Sequence, residues 1–193
     1  KLTFGVDVLP WNRPERSDGS SKPNSVVIIG MRGAGKTTLG TGVAQALGFK
    51  YVDLDAMIPN IKELVAKEGW PAFRAAETNV LKLALGGANS SNIPTVISCG
   101  GGIVEADANR ELLRSCGLPV IWVKRPINHI EQYLNSESSR PAYGETIPEV
   151  YARREPLYRE CSSHEFSAAQ SSDAIDEIQK DFNVTVGSIA AAT

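Results

Sequence analysis

The stretch GMRGAGKTT, Gly30–Thr38, follows the apolar run VVII and leads into LGTGVAQALG. It matches G-x-x-x-x-G-K-[ST], with Gly30, Gly35, Lys36 and Thr37 in the fixed places. The run before it is apolar and β-branched, which reads as a buried strand. Lys36–Leu47 reads as a helix stopped by Gly48. Strand, glycine loop and helix together are the context this motif requires. The glycines let backbone N–H groups turn inward around an anion, and the helix N-terminus adds partial positive charge. Gly30, Gly33, Ala34, Gly35, Thr37 and Thr38 are therefore assigned to the phosphates of ATP. Lys36 reaches the β- and γ-phosphates, and the Thr37 hydroxyl is offered to Mg²⁺. Arg32, inside the loop, reads either as a phosphate contact or as a solvated side chain.

The loop alone does not separate a kinase from a GTPase or a motor. The sequence contains no N-K-x-D for guanine, and 193 residues are too few for a motor or a multidomain ATPase. A small-molecule kinase becomes the leading class. The length suits one domain, and 42% hydrophobic with 22% charged residues suits a globular chain with a real core. A net charge of -2 gives no basic field for nucleic acid or an anionic membrane. Cys99, Cys116 and Cys161 lack the spacing of a disulfide framework or a zinc site and read as reduced thiols of a cytoplasmic protein. No apolar run approaches the ~20 residues of a membrane span.

Residues 12–24 are rich in Pro, Ser, Gly and charge and read as a linker, and residues 1–11 read as the frayed remnant of a preceding domain. The start is polar, without an apolar leader segment, and lacks Met, so the chain reads as a piece of a longer one. The compact domain is expected over 25–185, with 186–193 a tail towards a following domain. Within it, strands at 51–55, PTVISC, PVIWVK and EFSAA, the last at an edge, alternate with helices. Those helices are expected at 59–69, 71–85, 105–115, 127–135, 148–160 and 171–183. Such alternation predicts an α/β fold, a parallel sheet covered on both faces, with ligands at the carboxyl ends of the strands.

Three groups of residues bear on the acceptor. Asp53 and Asp55 end the second strand, where side-chain alternation puts both carboxylates on one face. One carboxylate can hold Mg²⁺ through water, and the other can orient a hydroxyl or take its proton; a helix N-cap is the competing use. Arg74, Arg140 and Arg154 each read singly as surface arginines, but two that converge would clamp a carboxylate. Arg74 and Glu77 are also spaced for an i,i+3 ion pair. Gly100, Gly101 and Gly102 end the third strand and allow backbone to approach a ligand, or serve as a flexible turn.

In order, the phosphate loop, D-x-D, F-R-x-x-E, GGG, R-P and R-x-P-L-Y resemble the shikimate kinase family, from Ser25 to Tyr158. The wording of GMRGAGKTT, YLNSESSRPAYGE and YARREPLY, with a linker ahead, is most similar to the kinase domain of the fungal pentafunctional arom polypeptides. The resemblance implies a P-loop kinase fold with a five-stranded parallel sheet of order 2-3-1-4-5 and a mobile lid at about 136–147. It implies transfer from ATP to the 3-hydroxyl of shikimate, in aromatic amino acid biosynthesis, within a chain linked to other domains of the pathway. Carried over by residue, Asp55 binds the acceptor hydroxyls and is the candidate base, with Lys36 and Arg140 also catalytic. Thr37 and Asp53 hold Mg²⁺. Arg74 and Arg154 clamp the carboxylate, Gly100, Gly101 and Gly102 meet the ring by backbone, and Phe73 and Glu77 line or brace the pocket. Arg140 closes onto the phosphates. Two positions depart from the family pattern: Tyr133 stands where many members stack an arginine on adenine, and Ser167 replaces an adenine-loop aspartate. The alternative is a non-catalytic, kinase-like domain of a quinate-pathway regulator. The intact Lys36, Thr37, Asp53, Asp55 and Arg74 argue against it. A gluconate kinase-like enzyme is a third reading.

Overall fold

The computed structural model of the chain describes residues 7–8, 25–91, 93–136 and 144–167. Its centre is β2, Val26–Ile29, whose four side chains are fully buried. A strand apolar on both faces belongs in the middle of a parallel sheet covered by helices. β4 (Thr95–Ser98) and β5 (Val120–Lys124) flank β2, and β3 (Lys50–Asp53) and β6 (His164–Ser167) lie outside them, all parallel. The two-residue β1, Asp7–Val8, adds antiparallel to β6, so the sheet runs β1-β6-β5-β2-β4-β3. The five parallel strands, counted alone, have the order 2-3-1-4-5 expected from the sequence.

Ladder bonds continue past the strand ends on one side of the sheet. Cys99 N–H donates to Ile28 O at 2.9 Å, and Leu54 N–H to Ser98 O at 2.9 Å. These bonds bring the residues after β2, β3 and β4 to one edge. The phosphate loop, Asp55 and the triple glycine are those residues. Helix α1 (Lys36–Leu47) starts directly from the loop and packs close to the sheet at Gly40. A Cβ there would lie 2.8 Å from the Tyr51 ring and 3.3 Å from Ile28.

The structure corrects four expectations. The second strand ends at Asp53, because Leu54 adopts helical φ/ψ and Asp55–Met57 form a 3₁₀ turn. Asp55 therefore reaches the site from a turn, not by strand alternation. β6 is not an edge, since Asp7–Val8, from the segment expected to be the frayed remnant of a preceding domain, pairs with Glu165 and His164. Helix α2, Ile61–Ser90, is two helical segments that meet at a kink at Gly69 (φ 81°, ψ 174°), where the sequence parts them, but its second segment runs on to Ser90 rather than 85. Its second half passes Gly86 and Gly87 unhindered, as neither faces a neighbour within 4 Å. The helix expected from 105 opens as a 3₁₀ turn, Ile103–Glu105, and becomes α3 only at Asp107–Ser115.

Helix α4 covers Ile127–Ser136. Helix α5, Ile147–Cys161, opens with a capping box in which Glu149 Oε2 accepts the Thr146 N–H at 2.9 Å. The expected helix at 171–183 and most of the expected lid, with Arg140, lie outside the described residues. Among the described residues no helix is long and apolar enough to cross a membrane.

Leu81 on α2 is wholly buried in the core. Leu81→Ala is expected to lower the unfolding free energy by about 2–5 kcal/mol, the range for such truncations. Urea denaturation measures it, and a change too small to resolve would place Leu81 outside the core.

Candidate active site

The phosphate loop is shaped by backbone that side chains rarely tolerate. Gly30, Gly33 and Gly35 have φ of 145°, 80° and 98°. At Gly30 a Cβ would come within 2.5 Å of Val123 O, so the loop can leave β2 this closely only without a side chain. Lys36 turns back over the loop and donates to Met31 O at 2.9 Å. Two groups that the sequence reading did not connect support the loop from outside. Arg125 Nη1 donates to Gly33 O at 2.9 Å, and the half-exposed Tyr133 ring packs on Gly33.

Beside the loop lies a cavity. Arg32 and Asp55 line it on the loop side, Phe73, Arg74 and Glu77 on the α2 side, and Arg154 at the back. Gly101 and Gly102 form its floor, and Trp70 and Ile61 its outer wall. Most expected acceptor residues therefore meet in one place. The period of α2 accounts for Phe73, Arg74 and Glu77 reaching it together. Arg154 and Tyr158, one turn apart on α5, both donate to Gly101 O, the arginine at 3.2 Å. Glycine is needed at 101, where a Cβ would sit 2.7 Å from the Arg32 backbone nitrogen. At Gly100 it would be 2.5 Å from Asp55 Oδ1 and 2.8 Å from Glu77 Oε1.

Two guanidinium groups of the cavity, Arg74 and Arg154, are paired with carboxylates. Arg74 donates to Glu77, so the i,i+3 pair exists and lines the cavity as well. The Arg74 guanidinium also lies over Trp70 at 5.5 Å and Phe73 at 5.3 Å. Burial pushes the Glu77 carboxyl above its usual range, and Arg74 offsets only part of that. Glu105 behaves oppositely. Burial alone would raise it, but Arg154, Arg153 and Arg74 outweigh burial and hold it below the usual carboxylate range. Burial pushes the Cys99 thiol, behind the cavity, well up, so it stays protonated and inert.

Asp53 Oδ1 accepts the Asp55 N–H at 2.9 Å, which ties the start of the 3₁₀ turn to the end of β3. Thr37 opens α1 in the same strand-end edge. Among the described residues no group of three His, Cys, Asp or Glu could hold a metal alone. One hydroxyl and one carboxylate suit Mg²⁺, which keeps waters and takes phosphate oxygens rather than a protein cage.

The sequence reading missed Trp70, Ile61, Glu105 and Arg125. Trp70 was visible only as punctuation between Gly69 and Pro71, and Glu105 as a residue just past the glycines. Arg32 is resolved as a wall of the cavity. Arg140 and residues 168–173 of FSAAQSSD lie outside the described residues, and Ser167 ends β6.

The protein-family model described as shikimate kinase matches residues 32–183. A pentafunctional AROM polypeptide of Yarrowia lipolytica is 42% identical over 172 residues, 84% of this chain and 11% of that protein. Another, from Lachancea thermotolerans, is 40% identical over 204 residues, covering 95% of this chain and 13% of that protein. The chain thus spans little more than a tenth of the length of these curated relatives. Among solved structures, shikimate kinase from Acinetobacter baumannii in complex with shikimate superposes with a TM-score of 0.70 at 28% identity. That match covers 85% of this chain and 93% of the other.

The raised Glu77 value gives a pH test. A raised carboxyl means the native state holds its proton more tightly than the unfolded chain. Stability therefore falls as pH rises through the window from the ordinary value of 4.5 to the raised one. Glu77→Gln removes that slope, so the variant should gain on the wild type across this window and then keep a constant difference. Urea denaturation at a series of pH values tests this, and a difference constant throughout would contradict it.

Proposed function

The chain belongs to the shikimate kinase family, and on that premise we propose that it phosphorylates the 3-hydroxyl of shikimate with ATP, giving shikimate 3-phosphate and ADP. The observation that carries this is the convergence of Asp55, Arg74, Arg154 and the Gly101–Gly102 backbone in one cavity beside the phosphate loop. A small cyclic polyol carrying one carboxylate matches that set: guanidinium groups for the carboxylate, backbone and Asp55 for the hydroxyls.

Phosphoryl transfer needs alignment and charge neutralisation more than covalent chemistry. The loop N–H groups and Lys36 hold the phosphates, Lys36 leaving Met31 O to do so. Asp55 orients the acceptor hydroxyl towards the γ-phosphoryl group and accepts its proton. Arg74 and Arg154 hold the carboxylate at the far side, which sets the hydroxyl against the loop. Phe73 and Glu77 brace Arg74. Thr37 and Asp53 are the residues that would hold Mg²⁺, which when bound neutralises phosphate charge. Arg140 retains its assignment to the phosphates and to catalysis by resemblance. The enzyme works in the cytoplasm, in aromatic amino acid biosynthesis, joined to other shikimate-pathway domains in one chain.

The deciding experiment is coupled ADP release with ATP, Mg²⁺ and shikimate, run beside quinate, gluconate and no acceptor. Release with shikimate alone supports the reading. Shikimate binding without release would favour the regulator instead. Lys36→Ala should lower turnover by roughly 10²–10³, the scale of losing one charge-stabilising group, and a loss under about tenfold would remove Lys36 from the mechanism. Arg154→Lys keeps the charge but not the planar fork. It should raise the shikimate KM about tenfold, as for a lost charged hydrogen bond. An equal rise in the ATP KM would count against the clamp.

A further inference from the structure

We propose that Glu105 is a positioning residue of the acceptor site, holding the two arginines that meet the acceptor carboxylate. The inference rests on the assignment of Arg74 and Arg154 to that carboxylate. The triple glycine leads straight into the 3₁₀ turn Ile103–Glu105, closed by Glu105 N–H donating to Gly102 O at 2.9 Å. The backbone that floors the cavity thus delivers Glu105 directly behind it. Arg110 Nη1 pins this turn from the other side, donating to Val104 O at 2.8 Å and Glu105 O at 3.3 Å.

The side chain is shared among three guanidinium groups. Glu105 Oε1 accepts from Arg154 Nε at 2.6 Å and from Arg153 Nη1 at 2.8 Å. Its Oε2 lies 3.7 Å from Arg74 Nη2. Arg154 is 2% exposed, so its charge needs a partner even before an acceptor arrives. Glu105 supplies that partner along the Nε edge, while Nη1 is tied to Gly101 O at 3.2 Å. A guanidinium fixed at two points has little rotamer freedom left to lose on binding. Both arginines line the cavity and Glu105 does not. It acts through them.

The test is steady-state kinetics with ATP and shikimate for the wild type, Glu105→Ala and Glu105→Gln. The alanine variant should raise the shikimate KM about tenfold or more, the scale of a lost charged hydrogen bond, with a much smaller change in the ATP KM. The glutamine variant keeps an oxygen for Arg154 Nε and should recover part of that loss. The methyl ester of shikimate, which lacks the charge the clamp reads, should distinguish wild type from the alanine variant far less. An unchanged or lower shikimate KM in Glu105→Ala would overturn the proposal, the lower value meaning that Glu105 competes with the acceptor. Equal loss for ATP and shikimate would overturn it too, as a general structural role. Should the wild type bind shikimate without turnover, the reaction reading fails by itself, and calorimetric shikimate affinities of the same three proteins decide on Glu105. No binding in the wild type would overturn both.

Discussion

The carbonyl of Gly101 is the point on which the site depends. It accepts from Arg154 Nη1 and from the Tyr158 hydroxyl, and its residue lies against the backbone of Arg32. One peptide group thereby joins the end of the central sheet, the phosphate loop and α5. Tyr158 is fully buried and stacks on the equally buried Trp122 of β5, so this junction is set in the core rather than laid on the surface. The cavity is the space left between these three elements and α2.

Close approach explains the glycines, and buried charge explains the rest. Where the loop presses against β5 and against the triple glycine, a single added carbon would collide with backbone at Gly30 and Gly101. The cationic side chains brought to the same edge cannot be buried alone. Three are matched by carboxylates: Arg74 by Glu77, Arg154 by Glu105, and the more exposed Arg153 by Glu105 and Glu145. Glu77 and Glu105 are displaced in opposite directions because burial, helped by the Asp55 carboxylate, outweighs Arg74 and Arg154 at Glu77, whereas Arg154, Arg153 and Arg74 together outweigh burial at Glu105. The Arg74 and Arg154 guanidinium groups that line the cavity therefore each have a carboxylate partner.

The fold itself names no acceptor. A strand-loop-helix unit that binds phosphate serves any phosphoryl donor, so selection falls to the cavity at its side. Here the groups that line that cavity come from α2, from the turn after β4 and from α5, separated by many residues of chain. Trp70 and Ile61 add apolar walls that a charge-based reading would not look for.

What the sequence by itself determined was local. GMRGAGKTT, with its β-branched strand and following helix, required a phosphate loop, because glycine spacing and helix polarity act over a few residues. The alternation of apolar runs with helical periods required a parallel sheet, and the order of short motifs pointed to the family. The tertiary structure decided what depends on long-range packing. It put Asp55 on a turn rather than a strand, because Leu54 bends out of β3 after its last ladder bond to Ser98. It gave β6 a further neighbour in Asp7–Val8, since strand pairing is set by proximity rather than by composition. It also brought Glu105 against Arg154, 49 residues away in sequence, to complete a pairing that neither residue's neighbours predict. Local propensities are written in adjacent residues, whereas the partner of a buried charge is known only once the chain has folded around it.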